Sequence, residues 1–307
     1  MPDAQEDIRS RPARRAPVPH RGLRRRSGGA GGRSAPLAGE AAPPDTRLRD
    51  LTPAEEVEID RAEDRLVLRC MEREGFRYWP GPVAGVEERK TGRYVVDDVD
   101  WARRHGYGRA FDRAAEQTRR THPNITYANA LPERERIRYS LALDGDLDDV
   151  VTAELPSGGA VRTPREGCHA EAREHLYGDH AAWFRAAKTV TSLTPLYVPL
   201  ILRDERLTSA SDAWARCMAK AGKPFRSPDE IREKRDGLVQ GMSEDEAQRA
   251  EVELAVTEAE CARETSLGTT ARSLEREYRA KALADHAGEF TAYRTMRLAA
   301  LSRARDL

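Results

Sequence analysis

The sequence predicts a mainly α protein: duplicated helix–connector–helix units, with one small β-hairpin and a long C-terminal helix. Three observations carry that prediction. Ser or Thr followed three residues later by Glu opens segments at Thr52, Ser227 and Ser243, the signature of a capping box. Apolar residues then recur every three to four positions, as one face of a helix requires. A short cysteine-bearing motif also occurs twice, each time where such a segment ends. With 307 residues, 39% hydrophobic and 34% charged, the chain can bury a full core while keeping its helix faces well solvated.

Residues 1–47 are built from Arg, Pro, Gly, Ser and Ala. They are predicted to form a disordered leader, because such a segment cannot bury enough apolar area to offset its ordering entropy. The leader carries ten Arg against five acidic groups, so residues 48–307 sum to −5. That acidity argues against nucleic-acid binding, which depends on clustered Lys and Arg. No window approaches the roughly 18 consecutive apolar residues of a membrane span. The arginines at 14–15 and 24–26 suggest a twin-arginine signal, but Gly, Ser, Ala and Pro follow them instead of an apolar run, so no signal peptide is read. The rest divides into two expected units, 48–205 and 206–307.

Order is expected from Thr52, whose box Thr52-Pro-Ala-Glu55 places Pro at the first helical position. Ile59, Ala62, Leu66 and Cys70 follow at helical spacing, and Gly75 supplies the stop. Residues 76–145 read as mostly irregular, with turns at Tyr78–Pro82 and Gly106-Tyr107-Gly108 and one helix from Pro132 to Leu143. Val150–Leu155, the Pro156–Gly159 turn and Ala160–Thr163 give the hairpin. Helices are expected at Glu166–Leu176 and Ala181–Thr189, then an apolar connector holding Pro195 and Pro199. A helix from Ser211 to Gly222 carries Trp214 and Cys217, and the boxes at Ser227 and Ser243 open two more. Thr270–Ala304 reads as one helix, roughly 50 Å long.

The twice-occurring motif is Arg69-Cys70-Met71-x3-Gly75 and Arg216-Cys217-Met218-x3-Gly222. Each copy is followed by one more helix-borne cysteine, Cys168 and then Cys261, and each of these has Glu three residues on, Glu171 and Glu264. Four cysteines allow three pairings. The repeat selects Cys70–Cys168 and Cys217–Cys261, which are 98 and 44 residues apart. Closing those loops is worth at most about 4.7 and about 4 kcal/mol by chain entropy. The competing reading is four buried thiols in a reducing compartment.

Other constellations are weaker. Cys168, Glu171 and His175 could share a helix face near His169 and His180, but a fourth zinc ligand has no source, so no metal site is assigned. Cys168 beside His169 could be a nucleophile, although a buried and paired sulfur is the simpler reading. Gly28–Gly32 follows no strand and is not read as a phosphate loop. Asn124-Ile-Thr126 matches a glycosylation acceptor by chance. Asp144, Asp146, Asp148 and Asp149 lack the spacing of a calcium loop and read as a solvated turn. Phe76, Tyr78, Trp79, Tyr94, Trp101 and Tyr107 could line a ligand groove, with core under long loops the plainer alternative. No cofactor motif and no catalytic site is identified.

Six segments carry a resemblance: CM-x3-GF (Cys70–Phe76), GYG (Gly106–Gly108), LP-x-GG (Leu155–Gly159), EGC-x2-EA (Glu166–Ala172), LYGD (Leu176–Asp179) and W-x2-CM-x3-G (Trp214–Gly222). Through them, residues 50–300 resemble an uncharacterised family of exported, lipoprotein-like proteins of actinomycete bacteria. The resemblance implies an extracytoplasmic protein of the cell envelope, accessory to envelope transport. This chain departs from that pattern in lacking a signal peptide and a lipobox.

The first functional reading is therefore a non-enzymatic, secreted helical protein that meets a protein partner in the envelope, through the C-terminal helix. A small-ligand-binding module using the aromatic-rich first half is the second reading. A cytoplasmic protein with Cys168 as a reactive thiol is the third. Alkylation without reductant followed by peptide mapping separates them: linked Cys70–Cys168 and Cys217–Cys261 are expected, and four alkylated cysteines would move the third reading to the front.

Overall fold

The capping box at Thr52 forms as read: its hydroxyl accepts from the Glu55 amide, and the Glu55 carboxylate accepts from the Thr52 amide. A computed structural model describes residues 48–307. The 1–47 leader, with Gly28–Gly32, lies outside the described residues. Helix α1 (Pro53–Arg73) is followed by a single 3-10 turn at Glu88–Lys90 and by α2 (Val99–His105), α3 (Arg109–Thr121), α4 (Pro123–Ala130) and α5 (Glu133–Asp144). Strands β1 (Val150–Glu154) and β2 (Ala160–Pro164) then pair antiparallel, with Val151 opposite Thr163 and Ala153 opposite Val161. The chain continues through α6 (Cys168–Tyr177), α7 (His180–Thr191), α8 (Thr194–Ile201), α9 (Glu205–Lys220), α10 (Pro228–Leu238), α11 (Glu244–Glu264), α12 (Leu267–Ala284) and α13 (Ala287–Arg305). The architecture is mainly helical with one two-stranded sheet and a long final helix.

Four clusters make the core. The largest packs Trp214, Met218, Ile231, Leu254 and Leu274 against Val95, Val99 and Tyr107, so residues on both sides of position 205 share it. A second joins Ile59 of α1, Leu176 of α6 and Leu301 of α13. A third surrounds Cys70 and Cys168 with Met71, Phe76 and Tyr139. The hairpin turns Val151 and Ala153 inward onto Phe184 of α7, the alternation expected of a strand with one buried face.

Both cysteine pairs stand at disulfide distance, with Cα atoms 5.5 Å apart for Cys70–Cys168 and 5.6 Å for Cys217–Cys261. The same local arrangement surrounds each. The helix bearing the first cysteine of each pair ends at a glycine with positive φ, Gly75 at 85° and Gly222 at 73°. The next residue reaches back, Phe76 N–H to Met71 O and Lys223 N–H to Met218 O, each 2.9 Å. This closure needs a left-handed residue, hence glycine. Met71 and Met218 are both fully buried.

Five expectations require correction. The irregular reading of 76–145 gives way to α2, α3 and α4, and the apolar connector is a helix, α8, with Pro195 at its start and Pro199 inside it. Helix α9 begins six residues before Ser211, capped by Asp204, whose carboxylate accepts from the Arg206 amide. At Ser227 only half of the box forms: its hydroxyl accepts from the Glu230 amide, but the Glu230 carboxylate takes the Arg226 amide at 2.7 Å. Finally, 270–304 is not continuous. The chain breaks at Asp285–His286 between α12, which packs on α8 and α9, and α13, which packs on α1, α6 and α7.

Helix α13 is thus part of the core. Leu301→Ala, at a position 4% exposed, is expected to lower unfolding free energy by about 2–5 kcal/mol in a denaturant titration. A change under 0.5 kcal/mol would mean α13 does not pack as described.

Candidate functional site

Helix α11 buries one face at 3.6 spacing, and two of the residues on it are carboxylates. Glu251 and Glu258 are each 2% exposed, beside Leu254, Ala255, Ala259 and Ala262. Ionised carboxylates are costly to bury unless paired or hydrogen-bonded. The Gly106-Tyr107-Gly108 turn between α2 and α3 supplies most of the partners. Gly106, at φ 60°, lies so close to α11 that a Cβ there would come within 3.3 Å of Glu251 Cβ. That approach lets Tyr107 Oη donate to Glu258 at 2.6 Å and lets Arg109 donate to Glu251 at 2.6 and 2.8 Å. The Val96 amide donates to the other oxygen of Glu258 at 3.0 Å. The second oxygen of Glu251 is buried without a partner.

Glu258 forms part of the wall of a cleft of about 320 Å³ between the segment 90–112 and helices α10 and α11. Arg235 sits over the Tyr107 ring, its guanidinium carbon 5.8 Å from the centroid. Its carboxylate contacts are long, 3.6 Å to Asp112 and 4.0 Å to Asp236. Arg232 is committed: it donates to the Arg93 and Tyr94 carbonyls and to Asp229, pinning the loop that forms the rim. Trp101 donates its indole N–H to the Glu87 carbonyl at 3.1 Å. The cleft thus layers a cation, a phenol ring and a buried carboxyl. Burial pushes the Glu258 carboxyl up to about 7, opposed by the hydrogen bonds from Tyr107 and Val96. Burial, followed by the Glu258 charge, raises the Tyr107 phenol.

No family model, curated protein or solved structure matches this chain. The site is therefore read from its own geometry.

The residues singled out from the sequence fall elsewhere or divide. Tyr94, Trp101 and Tyr107 stand around this cleft and its neighbour. Phe76 and Trp79 instead join Tyr127 and Tyr139 in an edge-to-face cluster with centroids 5.4–5.8 Å apart, with Tyr78 packed alongside. The six do not form one groove. Cys168 is 1% exposed with its sulfur against Cys70, which leaves no accessible thiol there. Glu171 points toward that pair, its carboxylate 3.4 Å from Cys70 Sγ, and Glu264 likewise lies 3.6 Å from Cys217 Sγ. His169 is 3.9 Å from Asp144, while His180 is buried with Nε2 3.0 Å from the Pro164 carbonyl. Among the described residues, no three His, Cys, Asp or Glu side chains gather as metal ligands.

Asn124 holds the Trp79 backbone through both its side-chain oxygen and nitrogen, at 2.8 and 3.0 Å. In the acidic turn, Asp146 accepts from the Asp148 amide and Asp149 pairs with Arg165. Glu251 and Glu258 were missed by the sequence reading. Their spacing of seven, in line with Leu254 and Ala255, was the signal that could have found them.

A carboxyl whose folded pKa is raised holds its proton where the unfolded chain has lost it. Stability contributed by Glu258 therefore falls as pH climbs from about 4.5 to about 7. Glu258→Gln should remove a slope worth on the order of 3 kcal/mol across that window. Thermal melts from pH 4.5 to 8 would read it, and parallel curves for the two proteins would contradict the assignment.

Proposed function

We propose that this chain is a non-enzymatic, extracytoplasmic binding protein that takes a small polar ligand into the Glu258–Tyr107 cleft. The observation that carries the reading is the buried carboxyl of Glu258, held by Tyr107 and Val96 in the wall of a cleft that also carries Arg235, whose own carboxylate contacts are long. Small-molecule sites combine this kind of concavity with a few convergent polar groups, in volumes of about 300–1,000 Å³. A ligand with a donor for Glu258 and an anionic group for Arg235, of amino-acid or short-peptide size, fits that chemistry. Two cysteine pairs at disulfide distance are compatible with an oxidising compartment. The resemblance to exported actinomycete proteins supports the same location.

The ligand reading comes ahead of the partner-mediating one because the C-terminal helix, the contact expected for a partner, packs into the core. That helix is occupied, with Ala300, Leu301 and Ala304 buried against α1 and α6. A thermal-shift panel of amino acids, short peptides and sugar acids tests the proposal. A ligand at a hundred times its Kd should raise Tm by roughly 5–10 °C. The rise should vanish in Glu258→Gln and Arg235→Gln. A hit that both variants retain would place binding elsewhere.

A further inference from the structure

The segment Thr91–Arg93 has a cavity on each side. One is the polar cleft just described. The other, about 530 Å³, lies between this segment, α8 and α12, and is lined by Val95, Val198, Ile201, Leu202 and Leu207. The apolar lining reaches the surface at Leu202, which is 48% exposed. No charged residue occurs between Thr194 and Leu202. An open cavity lined mainly by apolar side chains with a few polar groups at its edge is the usual form of a small-molecule site.

Arg93 lines both cavities. Its guanidinium comes no nearer than 4.0 Å to Asp97 and is half exposed, whereas Asp97 is taken by Arg272. The rim of the apolar cavity thus holds a cation with little local compensation. Glu275, on the α12 side of the cavity, is solvent-exposed.

We infer that the cavity between α8, α12 and Thr91–Arg93 binds the alkyl chain of a single-chain amphiphile whose anionic head pairs with Arg93. The alkyl chain lies along Val198, Ile201 and Leu207 and leaves past Leu202, while the head turns toward the Thr91–Arg93 wall. Binding here does not require the Glu258 cleft to hold a ligand, so the two proposals stand or fall separately.

Isothermal titration of the full chain with octanoate, decanoate and dodecanoate, each below the concentration at which it self-associates, tests the inference. Saturable binding at a stoichiometry of one is expected, tightening about fourfold per added methylene. Arg93→Gln should weaken dodecanoate about tenfold and leave dodecanol unchanged. Leu202→Glu, at a position 48% exposed, should abolish binding of both while the melting curve is retained. Absence of saturable dodecanoate binding, or affinity independent of chain length, would overturn the proposal. Equal loss of dodecanoate and dodecanol in Arg93→Gln would overturn the assignment of the head to Arg93.

Discussion

Helix α11 can dock only where two carboxylates find partners, and that requirement organises the region around it. Glu251 and Glu258 lie two turns apart on the face that Leu254, Ala255 and Ala262 bury. Desolvating them without partners would cost several kcal/mol each. Arg109, Tyr107 and the Val96 amide must therefore arrive together, and all three come from a stretch of fourteen residues around α2. The glycine at 106 is what lets that stretch come close enough. The polar cleft belongs to the same docking: it opens where the turn, α10 and α11 meet beside the buried carboxyl of Glu258.

The cysteine pairs act on the same helices. Cys261 lies three residues beyond Glu258 on α11, on the same buried side, so its tie to α9 fixes which way α11 is rotated. Cys70 and Cys168 do the equivalent for α1 and α6, the most extensively packed pair of helices. In each case the tie sits beside a fully buried methionine and one turn before a glycine-closed helix end. Rotation and length of the helix are set within the same few residues.

Much of this was legible in the sequence. Helix starts at Thr52 and Ser243 follow from local chemistry, because a hydroxyl and a carboxylate three residues apart satisfy two amides that no other part of the helix can reach. The hairpin follows from alternation and its Ser-Gly-Gly turn. Legibility fails where tertiary need overrides local signal. Short helices α2 and α4 are bounded by glycine or proline punctuation that reads equally well as loop, and α8 tolerates Pro199 because so short a helix has few internal bonds to lose. Nothing at Asp285–His286 forbids a helix, and the two helices that the break separates have different packing partners. Of the site, Tyr107 and Trp101 stand out in the sequence as aromatics, but the glutamates on α11 do not, since a glutamate on a helix is by default a solvated residue. The twin glutamates beside the cysteines were noticed as a pattern, and the structure places each carboxylate against the first sulfur of its pair.

The order of the ties along the chain has a topological consequence. Cys70–Cys168 closes before Cys217–Cys261 begins, so with both closed the molecule is two covalent rings in series, joined by the strand of chain from 169 to 216. A backbone cut within either ring leaves one connected molecule. A cut in the joining strand, which holds α7 and the leucine-rich α8, separates it into two pieces held only by their shared core. The covalent link between the two rings therefore runs through a segment that includes the uncharged run from Thr194 to Leu202.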